Sequence, residues 1–295
     1  MTRSAASPRP RLAVVPGDPR GIGPEVTSKA LATPLDADVI LVDGHDGPAA
    51  GDEAAGQVTG RAIEQAVRLA TAGEVDAIVT GPVHKQALHA AGYRVPGVTE
   101  LLAHLAGDVP VAMMLATDRL RVVLVTTHVP LRDVPALLTT DLVVRTGRIA
   151  AAGLQRWWGI AAPRLVVCAL NPHAGEGGLF GDEDARILRP AAAALGAAGP
   201  LPADTVFVRA LRGEFDAVLA PYHDVGMTAI KVAGFGTGVN VTLGLPFVRT
   251  APDHGTAFDI AGRGVADAGS MRAALELAAT LVRRSMQSAA GQGLG

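Results

Sequence analysis

Two hundred and ninety-five residues, 49% hydrophobic and 18% charged, can bury one large core or two smaller ones. At about 100–200 residues per domain, two lobes are expected. A formal net charge of -2 offers none of the basic surplus that a nucleic acid or an anionic membrane would attract, so the expected partner is a small molecule.

The single cysteine, Cys168, excludes an intramolecular disulfide framework, suits a reducing compartment, and reads as inert packing in an apolar strand. No stretch approaches the roughly 20 apolar residues of a membrane span, and the polar, proline-containing first ten residues lack the apolar centre of a signal peptide. A cytoplasmic protein is expected, with a loose N-terminal tail and a frayed C-terminal end. Aromatic residues make up only 3% of the chain, so the core must come from Val, Leu, Ile and Ala, as where helices layer on a parallel sheet.

In chain order, residues 11–15 read as a strand, GDPRGIGPE as a glycine-rich turn and residues 25–31 as a helix with Pro24 in its first turn. A strand, tight turn and helix can offer free backbone N–H groups to an anion or cofactor, and equally can be a plain βα connection. Residues 39–42 are a second strand, the low-complexity piece 44–56 a loop, and residues 58–72 a helix with Ile63, Ala66, Val67 and Ala70 on one face. A strand over 75–80 delivers TGPVHK at its end, where His84 and Lys85 could hold an anionic substrate or simply begin a solvated helix. In GVTELL, Thr99 can cap a helix whose first turn carries Glu100.

Three further strands, 111–115, 120–126 and 165–170, accompany a long helix over about 141–158. Two of them end in histidine-bearing loops, TTHVPL with His128 and NPHAGEGG with His173, and the apolar run 216–221 feeds into His223 and Asp224. Three histidines, each just past a β-branched run, can converge at one edge of a sheet. Neutral imidazoles ligate Zn²⁺ and other borderline divalent ions, leaving positions for water or substrate; the competing reading is three separate loop histidines. His45, His89 and His104 lack polar company and read as solvated or satisfied. The densest stretch runs from 220 to 264, where two histidines, Lys231, Asn240, Arg249 and several glycines sit between short apolar runs. A buried core segment would not tolerate that polarity unpaired, which marks it as a candidate active site.

Taken together, GDPRGIGPE, TGPVHK, TTHVPL, LNPHAGEGG, LPADT, YHDVG, GVNVTLGLPFVRT and DHGTA resemble the 4-hydroxythreonine-4-phosphate dehydrogenase family of the pyridoxal phosphate pathway, in the family's order and over nearly the whole chain. DHGTAFDIAGRGVAD is also similar to the adenine-side loop of isopropylmalate and isocitrate dehydrogenases. The resemblance implies a two-lobed α/β/α fold of the isocitrate/isopropylmalate dehydrogenase-like type with a cleft between the lobes. An NAD-binding lobe would comprise 1–115 plus 241–295, and residues 116–240 would form the lobe for metal, substrate and dimerisation. His128, His173 and His223 become the divalent metal ligands, zinc first, with magnesium, manganese or cobalt as the other choices, and His223 acts across a homodimer interface. Lys231, Asn240, Arg249 and Thr99 become substrate contacts beside His84 and Lys85. Asp204 and Asp224 lie near the metal, and Lys231 and Asp224 are candidates for handling the proton. Asp253, His254, Gly255, Thr256, Ala257 and Asp259 fall on the loop for NAD, or NADP.

The implied reaction is oxidation of a secondary alcohol β to a carboxylate in a small anionic hydroxy acid such as 4-phosphooxy-threonine, followed by decarboxylation. Sibling reactions would act on erythronate or threonate 4-phosphate, or on the cis-dihydrodiol of an aromatic carboxylate. A metal-dependent hydrolase or lyase without NAD is the reading of another class. The chain departs from the family at Val98, where a histidine precedes the threonine, and at Val225, where the family has YHDQG; its 44–56 loop also looks short.

Overall fold

A computed structural model of the chain describes residues 9–44, 49–234 and 237–292. His45, Phe235, Gly236 and most of the expected N-terminal tail lie outside the described residues. In chain order the elements are β1 (Arg11–Val15), α1 (Gly23–Leu31), β2 (Asp38–Leu41), α2 (Gly51–Thr71), β3 (Ala77–Thr80), α3 (Lys85–Ala90), α4 (Val98–Leu105), β4 (Ala112–Ala116) and β5 (Arg121–Leu124). They continue with α5 (Val134–Leu137), α6 (Thr140–Trp158), β6 (Leu165–Cys168), α7 (Arg189–Leu195), β7 (Ala198–Leu201), α8 (Ala203–Leu211), β8 (Ala217–Ala220), α9 (His223–Gly234), β9 (Val239–Leu243), β10 (Val248–Pro252) and α10 (Gly269–Gln292). No helix among the described residues is long and apolar enough to cross a membrane.

Contacts divide the chain into two compact units, Met1–Ala106 with Pro246–Gly295, and Gly107–Leu245. In the first unit, β1 pairs in parallel with β2 and β3, and β3 with β10. Leu12, Ala13, Val14 and Val15 of β1 are wholly buried, as helix-covered parallel strands require. In the second unit, β4 lies antiparallel to both β5 and β9, while β5–β8, β8–β6 and β6–β7 are parallel. Residues 107–115 and 241–245 therefore fall to the second unit rather than the first. The reason is the antiparallel β4–β9 ladder, which joins Ala112 through Ala116 to residues of β9.

Three local expectations are corrected. Residues 51–56 begin α2 instead of a loop, with Asp52 and Glu53 placed where the helix dipole favours acids. Gly56 is buried there, and a Cβ on it would strike the Ala87 carbonyl of α3. Thr99 does not cap α4: Gly97 is the extended N-cap residue, and Thr99 lies inside the first turn. The strands expected over 165–170 and 216–221 are shorter, because flanking polar groups are used as anchors. Asp216 accepts from the Arg164 backbone N–H at 2.7 Å, and buried Asp184 accepts from the N–H groups of Leu170 and Asn171 at 2.9 and 3.0 Å.

Cys168 is fully buried, and burial, reinforced by the charge of Asp184, pushes its thiol to about 12. It is packing, as its apolar strand indicated.

Candidate active site

The second unit builds its polar centre from three adjacent parallel strands in the order β5, β8, β6. Leu124 pairs with Ala220, so the loop after β5 and the start of α9 leave the sheet side by side, carrying His128 and His223. Their rings approach to 5.5 Å between centroids at a 45° tilt. His223 Nδ1 lies 2.7 Å from Asp224 Oδ1, a contact that fixes the imidazole and leaves Nε2 as its outward nitrogen. His223 thus adjoins His128 within the chain.

His173 follows β6, the next strand along. Its loop is wound the wrong way for L-residues: His173, Ala174 and Glu176 have φ of 52°, 56° and 42°, beside glycines at 82° and 66°. Such conformations cost about 1–3 kcal/mol each and persist only where the surroundings dictate them. Here Asp184 grips the two N–H groups leading into the loop, and Asn171 Nδ2 donates to Glu183 Oε2 at 2.8 Å. The His173 ring itself faces Glu176, 3.1 Å from Nδ1, and Phe180. Among the described residues no three histidine, cysteine or acidic side chains are grouped closely enough to hold one metal ion. The chemistry of the donors nonetheless fits a divalent ion in part: two imidazoles converge, one oriented by a carboxylate, and the third histidine leaves the neighbouring strand.

The other expected groups of this unit are dispersed along its elements. Asp204 stands exposed in the first turn of α8, Lys231 exposed in the last turn of α9, and Asp224 is exposed beside His223. Asn240 lies on β9 opposite Leu115, with its side-chain oxygen buried and without a protein partner.

The first unit holds a cationic group and a loop. Arg249 of β10 is 4% exposed and donates to Thr80 Oγ1 at the end of β3, 2.7 Å away. Burial lowers its pKa to about 10, with the charge of Glu100 acting in the opposite direction. Lys85, at the start of α3, and Glu100 both lie against Gly97, just ahead of Thr99. His84 takes a different direction from its neighbour Lys85. Its ring meets Phe258 edge-on at 5.0 Å, and Arg20 Nη2 lies 3.5 Å from its Nδ1.

The stretch 253–259 is docked on the glycine-rich turn. Ile22 N–H donates to Thr256 C=O at 2.9 Å, and Gly21 lies so close to Thr256 that any Cβ would collide with it. Asp253 N–H donates to Ser270, His254 Nδ1 lies 3.1 Å from Gly255 C=O, and Ala257 adopts φ 42°. Asp259 and Gly255 are exposed. Arg20, Asp18 and Phe258 were not singled out from the sequence, although an arginine inside a glycine-rich turn, two residues from an aspartate, is itself unusual enough to notice.

The sequence profile of the family described as Pyridoxal phosphate biosynthetic protein PdxA matches residues 23–278. The 4-hydroxythreonine-4-phosphate dehydrogenase of Geobacter metallireducens is 53% identical over 235 residues, covering 78% of this chain and 69% of that protein. The D-threonate 4-phosphate dehydrogenase of Cupriavidus necator is 52% identical over 237 residues, covering 78% and 71%. Among solved structures, a putative 4-hydroxythreonine-4-phosphate dehydrogenase from Salmonella typhimurium aligns over 93% of this chain and 100% of its own, at 39% identity and a TM-score of 0.84. A β-decarboxylating dehydrogenase from Thermococcus kodakarensis, covering 96% and 88% at 17% identity and a TM-score of 0.55, shares the fold. With its strand-end histidines and its glycine-rich turn inside the matched region or at its edge, the chain belongs to the PdxA family of pyridoxal phosphate biosynthetic proteins.

Proposed function

We propose that this dehydrogenase oxidises the secondary alcohol of a small phosphorylated hydroxy acid, with NAD as oxidant and a divalent metal at the strand-end histidines. The observation that carries the reading is the pair His128 and His223, brought together by the β5–β8 register and oriented by Asp224. His173 would complete the metal's protein ligands. A bound divalent ion would supply Lewis-acid polarisation of the substrate's alcohol oxygen, and NAD would take the hydride.

The remaining work belongs to side chains of this chain. Arg249, Lys85 and Thr99 would hold substrate anions, Arg249 through its fork and Lys85 as a point charge. Asn240 offers a buried acceptor that a substrate hydroxyl or amine can satisfy. Lys231 or Asp224 would take the alcohol proton as hydride leaves its carbon. The resulting β-keto acid loses its carboxylate as carbon dioxide, with the electron pair of the broken C–C bond passing to the ketone oxygen. The 253–259 loop, docked on the glycine-rich turn, would carry the cofactor. A homodimer with a shared site belongs to the same reading.

The choice of substrate turns on Val98, the first residue of α4 next to Thr99. A hydrocarbon there, and the close relative named for D-threonate 4-phosphate, support a sibling reading in which that compound is preferred. The purified, metal-loaded protein should reduce NAD when offered 4-phosphooxy-threonine, D-threonate 4-phosphate, erythronate 4-phosphate or an aromatic cis-dihydrodiol carboxylate. Turnover of the first assigns the pyridoxal-pathway reaction, and turnover of D-threonate 4-phosphate alone makes Val98 a specificity determinant. No NADH from any of them, with no NAD binding, would overturn the dehydrogenase chemistry.

A further inference from the structure

We infer that Arg20 is a positioning residue for the dinucleotide: it fixes the ring of Phe258 as the platform on which the adenine stacks. The inference rests on the reading of 253–259 as the cofactor loop and adds a residue to it.

Arg20 lies in the glycine-rich turn, and its guanidinium is spent on structure. It makes two hydrogen bonds to Asp18, Nε to Oδ1 at 3.1 Å and Nη2 to Oδ2 at 2.8 Å, and Nη1 reaches Asp52 Oδ1 in the first turn of α2 at 2.6 Å. Asp18 is 1% exposed, so this fork is anchored in the core rather than loose on the surface. With two carboxylates against one guanidinium, the group carries no spare positive charge for a phosphate. What it offers is a fixed plane: its central carbon lies 5.4 Å from the centroid of the Phe258 ring, within cation–π range.

His84 meets the same ring edge-on at 5.0 Å, so two side chains from other elements, Arg20 and His84, themselves 3.5 Å apart, pack against Phe258. Yet Phe258 remains 43% exposed. A large apolar ring that is held rigid and left open is poorly explained by packing alone. It is well suited to a planar base, which stacks on an aromatic face with little regard for hydrogen bonds. The backbone makes the placement firm, since Ile22 N–H bonds Thr256 C=O two residues before Phe258. At the other end of the stretch, Glu25 of α1 accepts from the N–H groups of Gly264 and Ala266. Arg20 therefore couples the turn, α2 and the loop into one support for the ring.

The test compares Phe258→Leu, Phe258→Tyr, Arg20→Ala and Arg20→Lys with the wild-type protein. NADH and ADP-ribose binding are measured by calorimetry, and KM and kcat for NAD in steady state. Phe258→Leu keeps apolar bulk and removes the ring; it should weaken ADP-ribose and raise the KM for NAD by about tenfold with kcat little changed, while nicotinamide mononucleotide competes as in wild type. Phe258→Tyr should restore wild-type binding. Arg20→Ala should shift KM in the same direction and also lower Tm, because it strands Asp18; Arg20→Lys should keep the charge but not the fork, and fall between. Wild-type ADP-ribose affinity in Phe258→Leu would overturn the inference while leaving the cofactor loop standing. Failure of the wild-type protein to bind NADH or ADP-ribose at all would overturn the cofactor-loop reading and this inference with it.

Discussion

A guanidinium placed where water cannot reach it weighs on the fold unless something else requires it, and Arg249 is such a group. Its lowered pKa, about 10, says that burial disfavours the charge by more than the carboxylate of Glu100 restores. Replacing it with methionine, similar in length and apolar, should leave Tm within a few degrees of wild type or raise it, since buried ions exchanged for well-packed hydrocarbon often cost nothing. The same change should raise substrate KM at least tenfold, because the proposed anion contact is gone. Thermal unfolding beside steady-state kinetics separates the two effects, and a protein that loses several degrees without any change in KM would return Arg249 to a structural role. At this scale the sequence was informative where a residue's position follows from a strand end, as with His128 and His223. It was silent on Arg20, whose partner Asp52 lies 32 positions away and is brought near only by the fold.

Helix α2 determines where α3 lies, and through it the placement of His84 and Lys85. Gly56 on α2 is in close approach to Ala87 on α3, with no room between them for a methyl group. The obstacle is backbone, which cannot rotate away as a side-chain tip would. Gly56→Ala should therefore force α3 outward, destabilise the protein by about 1–3 kcal/mol as overpacking does, and impair substrate binding through Lys85. Denaturant unfolding and the KM for substrate check both, and an unchanged KM would mean that α3 relaxes without moving its first turn. The loop reading of 51–56 came from Gly51, Asp52 and Gly56, poor helix formers by local propensity that outweighed the helix-favouring Glu53, Ala54 and Ala55 between them. The requirement for Gly56 comes from α3, some thirty residues on, so a tertiary contact decides what local sequence could not. The capping role expected of Thr99 failed because the extended N-cap position falls on Gly97, two residues earlier, which places Thr99 inside the first turn.

Across the whole molecule, each unit carries the same device at the N-terminal edge of its parallel strands. In the first, Arg11 donates to Asp76 through its backbone N–H, Nε and Nη2 at 2.8, 3.2 and 2.7 Å. In the second, Arg164 does the same to Asp216 at 2.7, 3.1 and 2.9 Å. The clamps sit at the opposite ends of the strands from the histidine loops, so register is fixed at one edge while the other is left for chemistry. The alternation of strand and helix was legible from β-branched runs, whereas the unit boundary was not, because β4 and β9 are distant in sequence and only their antiparallel pairing assigns them together. The clamps give the fold an acid limit. Hydrogen bonds from Arg164 hold the Asp216 carboxyl below its ordinary value. A depressed carboxyl pKa means stability that is present above the ordinary value near 4 and lost as pH falls through the folded-state value. Asp216→Asn should thus lower stability by about 1 kcal/mol at pH 7, below the roughly 1.5–3 kcal/mol of charged hydrogen bonds because Arg164 is more than half exposed, or roughly 2–4 °C in Tm. The gap between variant and wild type should close as pH falls through the depressed folded-state value, once the wild-type carboxyl is protonated too. A Tm difference that stayed constant from pH 7 to pH 2.5 would show that the asparagine disturbs packing instead, and that the charge of Asp216 plays no part in holding β6 against β8.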